Sequence, residues 1–437
     1  MKKRFSANSD MSRRDLLSSA VGVAAAAGLS LGAGEARAEV AGPALSKPQG
    51  ETEPFWGGHQ AGIVTFPIQH HTLFATFDLI TTKRRDVADL LQAWTAAAAR
   101  MTAGEPAQPL GSGLTLAVKP AAAAPEDDGY APDFSAMSSD SGEAIGMSPS
   151  RLTLNFGFGA DLFVKDGKDR YGLASRRPAA FVDLPKFVGD QMIEARTGGD
   201  LSVQACAEDP QVAFHAVRQL ARIAEGVARF RWMQSGFRPT TGERHLLGFS
   251  NGKGNPPMTD AKLMDKVIWV GDEGPDWMRG GTYLVVRRIR FAIEHWDHMP
   301  TEYQEKAIGE VKYSHGKANA DGREESPPED DGESSHLRIV TPDAFTMVRR
   351  SYSYNNGLSF VSERWPPWRQ GIEYDAGMLF ICYQRDPRTG FINMYDKMAK
   401  YDAKLNQFWT HEGSGLFACP GGARDGEFVG QRLFRTA

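Results

Sequence analysis

The chain is poor in cysteine and has no marked excess of charge. Only three cysteines, Cys206, Cys382 and Cys419, occur in 437 residues. Their odd number and wide spacing exclude a disulfide framework and a cysteine-based metal motif. Cys206 and Cys382 lie in apolar, strand-like runs and read as small buried hydrophobes. A formal net charge of −4 lacks the basic surplus that nucleic-acid binding requires. Beyond residue 38 no apolar run is long enough to span a bilayer. What remains is ordinary globular composition, with 41% hydrophobic and 24% charged residues, enough for a large core.

The first 38 residues read as an export signal. Lys2, Lys3, Arg4, Arg13 and Arg14 make a basic start, Ala20 to Leu31 a short apolar run, and Ala36-Arg-Ala38 a small-x-small cleavage site. Ser12-Arg-Arg-Asp-Leu-Leu17 carries the paired arginines of a twin-arginine signal. The expectation is a periplasmic or otherwise extracytoplasmic protein.

A polar lead-in over 39–57 is followed by a pattern of alternating periods. His71–Ile80 reads as a strand, and Arg84–Met101 as a helix capped by Thr82, with Val87, Leu91, Trp94, Ala98 and Met101 on one face. Strands follow at Leu152–Phe158 and Leu201–Cys206, then a helix opening at Pro210 and a strand over Val227–Met233. This β-α-β-β-α-β order is ferredoxin-like. The second half repeats it less clearly, with strands at Thr282–Ala292, Thr346–Tyr354, Met378–Tyr383 and Gly415–Cys419 and one helix over Phe391–Phe408. The expected fold is α+β: two ferredoxin-like halves, 58–240 and 241–437, with inward-facing antiparallel sheets and peripheral helices, like a dimeric α+β barrel. Pro125–Pro149 and the acidic stretch Gly316–Ser335 read as surface loops.

Three segments carry chemistry. Ser-Ser-His336-Leu-Arg offers an imidazole, Met-Val-Arg349-Arg-Ser-Tyr-Ser-Tyr a cation at the start of a strand, and Gly248-Phe-Ser-Asn251-Gly252 a glycine-rich loop. Taken singly, His336 is a loop histidine at the entry to a strand, Arg349 an edge-strand charge and Asn251-Gly252 a turn dipeptide. Their order, together with Phe55-Trp-Gly-Gly-His-Gln-Ala-Gly-Ile-Val-Thr65, Gly280-Gly-Thr-Tyr-Leu-Val-Val-Arg287-Arg-Ile-Arg290 and Leu379-Phe-Ile-Cys-Tyr-Gln384, resembles the dye-decolourising (DyP-type) haem peroxidases across nearly the whole mature chain, closest to the exported deferrochelatase/peroxidase branch.

The resemblance implies one haem b per chain, held without covalent attachment because no Cys-x-x-Cys-His occurs. It implies His336 as the axial iron ligand, Arg349 as the distal cation beside peroxide, and the 248–252 loop, Gly252 included, over the cofactor. It suggests Arg287 as a partner of a haem propionate and Asp386 as the group that orients His336, although a strand-face cation and a helix cap are equally good readings of these two. The family loop carries aspartate where this chain has Asn251. An amide donates and accepts hydrogen bonds but takes up no proton at ordinary pH. The implied activity is H2O2-dependent one-electron oxidation of small reductants or dyes. The competing expectation is a haem-handling protein allied to iron uptake, with little peroxidase turnover. A homodimer is compatible with either.

Overall fold

A computed structural model describes residues 50–119, 133–252, 254–313, 335–359 and 373–435. The expected export signal, residues 120–132 and the acidic stretch before Ser335 lie outside them. The strands are β1 (His71–Leu79), β2 (Thr153–Gly159), β3 (Leu201–Ala207), β4 (Ala228–Phe237), β5 (Thr282–Phe291), β6 (Val348–Arg349), β7 (Tyr352–Ser359), β8 (Glu373–Gln384) and β9 (Trp409–Cys419). The helices are α1 (Arg84–Thr102), α2 (Ala160–Phe163), α3 (Pro210–Ile223), α4 (Ala261–Val267), α5 (Ile293–Asp297), α6 (Thr301–Ile308), α7 (His336–Val340), α8 (Phe391–Tyr401), α9 (Ala403–Asn406) and α10 (Gln431–Phe434).

Antiparallel pairing runs β5-β9-β2-β3-β1-β4-β7-β8, and β8 pairs back onto β5 to close the barrel. Within each half the ladders are long: β1 pairs with β3 from His71↔Ala207 to Phe77↔Leu201, and β5 with β8 from Tyr283↔Gln384 to Arg290↔Gly377. Between halves they are short. Only Phe158↔Ala418 and Gly159↔Phe417 join β2 to β9, and Phe237↔Ser353 joins β4 to β7.

Period-2 alternation sorts side chains to the two faces. Leu379, Ile381 and Tyr383 of β8 pack inside the barrel with Phe74, Trp232, Leu284 and Val286. Phe380 and Cys382 face outward onto the α8 side chains. In the first half the outer face carries α1 and α3, whose Leu90, Trp94, Ala216 and Leu220 cover Leu73, Ala75 and Phe77. Leu73, Phe77, Leu90 and Leu220 among them each contribute roughly 1.5–3 kcal/mol on burial. Helix α3 starts as its sequence predicts: Asp209 accepts a hydrogen bond from the Gln211 N–H at 2.7 Å, with Pro210 in the first turn. For α1 the hydroxyl is that of Thr81 rather than Thr82. It accepts from the Lys83 N–H at 3.1 Å and donates to Asp86 at 2.6 Å. The architecture is the expected α+β pair of ferredoxin-like halves.

Strands β8 and β9 begin five and six residues before their sequence reading, and three further second-half elements differ in kind. His336 opens a short helix, not a strand. The 346–354 run is interrupted at Arg350-Ser351, where the chain passes from β6 to β7. The single helix over 391–408 breaks at Asp402, whose backbone (φ −90°, ψ 55°) leaves the helical region. The first and third of these build the site.

Candidate active site

Between the outward face of the β5/β8 sheet and helices α7–α9 lies a cavity that is partly open to solvent. Ile289, Met378 and Phe380 form its floor on the sheet, and Leu337, Val340, Met394, Met398, Leu405 and Trp409 its apolar wall. The polar groups bordering it include His245, Ser250, Asn251, His336, Arg349 and Ser351. A mostly apolar cleft with few polar groups is the usual form of a small-molecule or cofactor site.

His336 is fixed from behind. Its Nδ1 lies 2.6 Å from Oδ2 of Asp402, a residue 66 positions away and fully buried. A carboxylate only accepts, so Nδ1 carries the ring proton and Nε2 keeps its lone pair for a metal. Trp409 holds the ring edge-on, with centroids 5.3 Å apart. The break between α8 and α9 turns Asp402 toward His336. Its other oxygen, Oδ1, is buried without a hydrogen-bond partner among the described residues. An acceptor buried with unused capacity is costly unless it serves a site.

Asp386 does not take this part. Its carboxylate is held by Arg388, with Nη2 at 2.6 Å and Nε at 3.0 Å, and it caps its own turn by accepting from the Arg388 N–H at 2.9 Å. The expectation that it orients His336 is corrected in favour of Asp402.

Arg349 reaches the cavity from β6, opposite Cys382 of β8. Alternation sends its neighbour Arg350 the other way, where it donates to the Thr65 carbonyl at 2.6 Å and to Gln69 Oε1 at 2.9 Å. The Arg349 backbone is clamped by Asn255, whose Oδ1 accepts from the Arg349 N–H at 2.8 Å and whose Nδ2 donates to its carbonyl at 3.0 Å. Burial pulls the guanidinium below the usual arginine range, though arginine stays cationic at any working pH. It is a fixed positive charge in a place of low polarity.

The loop before Asn255 carries Asn251 and Gly252. Gly248 (φ +87°) and Gly252 (φ +83°) adopt the left-handed conformation that favours glycine. The Asn251 N–H donates to the Glu243 carbonyl, and Ser250 Oγ donates to buried Glu310 at 2.6 Å. Asn251, Gly252, His336 and Arg349 thus border one cavity.

Arg287 does not border it. Its Nη1 donates to Asp190 at 2.9 Å, the arginine being 1% exposed. Its guanidinium lies over the rings of Phe187, Phe391 and Tyr395, at 5.2, 5.5 and 4.9 Å. The expected propionate contact is replaced by a protein carboxylate. Tyr395 does border the cavity, so Arg287 stands one ring behind its wall.

Two residues of the site carried no sequence signal: Asp402, which backs His336 from inside a continuous helical pattern, and His245, on the cavity six positions before Asn251. Burial depresses His245 to a pKa of about 4, with His336 and Arg244 lowering it further and Glu310 opposing them.

The sequence model described as Dyp-type peroxidase, N-terminal, matches residues 60–238, and its C-terminal counterpart matches 242–424. A deferrochelatase from Escherichia coli O157:H7 is 30% identical over 410 residues, 88% of each chain. The dye-decolorizing peroxidase of Thermobifida fusca is 35% identical over 316 residues, 66% of this chain and 69% of that one. Among solved structures, ferric DtpA from Streptomyces lividans superposes with a TM-score of 0.71 at 37% identity, covering 88% of this chain and 97% of the other. A DyP-type peroxidase from Streptomyces coelicolor gives 0.71 and 37%, covering 88% and 98%.

Proposed function

Because the chain belongs to the Dyp-type peroxidase family of haem-dependent enzymes, we propose that it holds one haem b per chain in the cavity between α7 and β8 and uses H2O2 to oxidise small reductants or dyes by single electrons. The observation that carries this is one cavity bordered by both His336, backed by Asp402, and Arg349.

Bound haem supplies the redox-active iron at which peroxide is reduced. The chain supplies the rest. His336 would hold the iron through Nε2, with Asp402 fixing the ring and raising its donor strength. Arg349 offers a preorganised positive charge for the negative charge that develops as the O–O bond breaks. Asn251 orients peroxide through its amide. Losing a proton-accepting carboxylate there typically costs about 10²–10⁴-fold in proton transfer, so the activity is weakened rather than abolished.

The twin-arginine leader supports export to the periplasm; blocking it by Arg13→Lys with Arg14→Lys and fractionating cells tests this. The second reading is release of iron from haem within an uptake system. It is favoured by Asn251 and by the deferrochelatase relatives.

The deciding experiment is stopped-flow absorbance of haem-loaded protein mixed with H2O2. A fast shift of the Soret band, accelerated in Asn251→Asp and lost in Arg349→Leu, is expected. Bound haem with only slow bleaching would turn the assignment to the haem-handling reading.

A further inference from the structure

One titratable side chain on the cavity has no part in the mechanism above. His245 belongs to the segment that leads into the Asn251 loop, and it borders the same cavity as His336 and Arg349. Its backbone is locked in a tight turn: its N–H donates to the Phe249 carbonyl at 3.0 Å, and its own carbonyl accepts from the Gly248 N–H at 2.9 Å. The ring is packed near Phe291, with centroids 6.3 Å apart.

Its two nitrogens are not equivalent. Nδ1 accepts a hydrogen bond from the Leu247 N–H at 3.2 Å. A ring nitrogen that accepts from an N–H carries no proton, so the neutral ring bears its proton on Nε2. Nε2 has no protein partner among the described residues. Burial keeps the ring neutral above about pH 4. The charged groups that face it are Arg244 on its own segment, Glu310 after α6, and His336 on α7 when protonated. Glu310 is already engaged by Ser250.

We propose that His245 is a ligand-binding residue of this cavity, donating its Nε2–H to an oxygen or a small anion held there beside Arg349. The inference rests on the peroxidase reading above. The turn that offers Leu247 N–H to Nδ1 makes His245 a donor and disqualifies it as the base that Asn251 fails to be. Among the described residues that border the cavity, Arg349, His245 and the Asn251 amide offer donors, and none is a carboxylate able to take up a peroxide proton. It suits ligands that arrive as anions.

The test uses ferric, haem-loaded protein and fluoride as the probe, followed by the absorbance change on binding. His245→Leu is expected to weaken fluoride binding by about 10-fold or more, as for a lost hydrogen bond to a charged acceptor. His245→Gln, which keeps a donor, should retain most of the affinity. In a second arm, nitrogen-15 histidine spectra of the haem-free full chain at pH 7 should show the Nε2–H tautomer for His245. Unchanged fluoride affinity in His245→Leu, or an Nδ1–H tautomer, would overturn the proposal while leaving the peroxidase reading intact. Failure of the wild-type chain to take up haem would overturn that reading instead, and this one with it.

Discussion

Asp402 shows how one side chain decides what the cavity holds. It is fully buried and its identified partner is the Nδ1 of His336. Replacing it with alanine removes the group that fixes the imidazole and raises its donor strength. Loss of such partners typically weakens metal binding by about 10–100-fold. Asp402→Ala should therefore bind haem more weakly by that order while keeping its fold, as read by Soret titration alongside far-UV circular dichroism. Unchanged affinity would mean that Trp409 and the cavity wall fix His336 unaided. Arg287 teaches the opposite lesson. Its position in the Gly280–Arg290 segment suggested a cofactor contact, yet Asp190 and three aromatic rings take up the guanidinium. Sequence identifies the residue type but not the partner, because the carboxylate lies 97 residues away.

At the scale of elements, the loop over 243–256 and strand β6 form one device. Asn255 holds both the N–H and the carbonyl of Arg349, so the loop that carries Asn251 is tied to the strand that carries the cation. Asn255→Ala should cost about 0.5–1.5 kcal/mol, the net worth of a typical hydrogen bond, measurable by urea unfolding. It should also slow the first spectral step with peroxide, since Arg349 loses its anchor. A stability loss with an unchanged peroxide step would show that β8 alone positions Arg349. The same region marks where sequence reading stops. Elements β1, α1, β2, β3 and α3 were legible to within a residue or two, because their periodicity is unbroken and Asp209-Pro210 announces a helix. His336, Arg349, Asn251 and Gly252, singled out through the family resemblance, meet on one cavity. The break at Asp402 was not, since Phe391 to Phe408 keeps a helical pattern and the contact that rewards the break comes from His336, far off in sequence. His245 was invisible for a similar reason: a lone histidine beside a loop shows nothing of the cavity it borders.

For the molecule as a whole, stability depends on a buried ion network away from the cavity. His215 on α3 lies between Asp140, 3.4 Å from its Nε2, and Glu143, 3.2 Å from its Nδ1. The two carboxylates face different ring nitrogens, the arrangement of a bridging ion pair. Burial alone would lower the His215 pKa, but Asp140 and then Glu143 outweigh it and hold it above the ordinary value. Both carboxyls are held below theirs against the opposing effect of burial, Asp140 chiefly by its His215 hydrogen bond and Glu143 by those from Ser141 and its own backbone, with His215 adding to the effect. A raised histidine stabilises fully below its unfolded pKa of about 6.5 and loses that contribution as pH climbs through the folded value. The depressed carboxyls lose theirs as pH falls below about 4. The network should therefore stabilise most between these limits. The melting-temperature gap between wild type and His215→Gln should shrink from pH 6 to pH 9; a constant gap would refute the charge assignment.

The short ladders between the halves bear on cooperativity. The barrel interior is shared, with Phe74 and Trp232 packed among Leu284, Tyr352 and Leu379. Denaturant unfolding monitored by tryptophan fluorescence and by circular dichroism should accordingly give one coincident transition; two separated transitions would show that the halves are energetically independent. Backbone hydrogen bonds form between strands of almost any composition, whereas interlocking side chains accept only a matched counterpart. Since the halves meet through few of the former and many of the latter, the junction discriminates by shape. A chimera that grafts residues 58–240 onto the second half of a distant relative would find compatible ladders and an incompatible interior. Recombination between such proteins would be limited at the barrel's centre, far from the residues that do the chemistry.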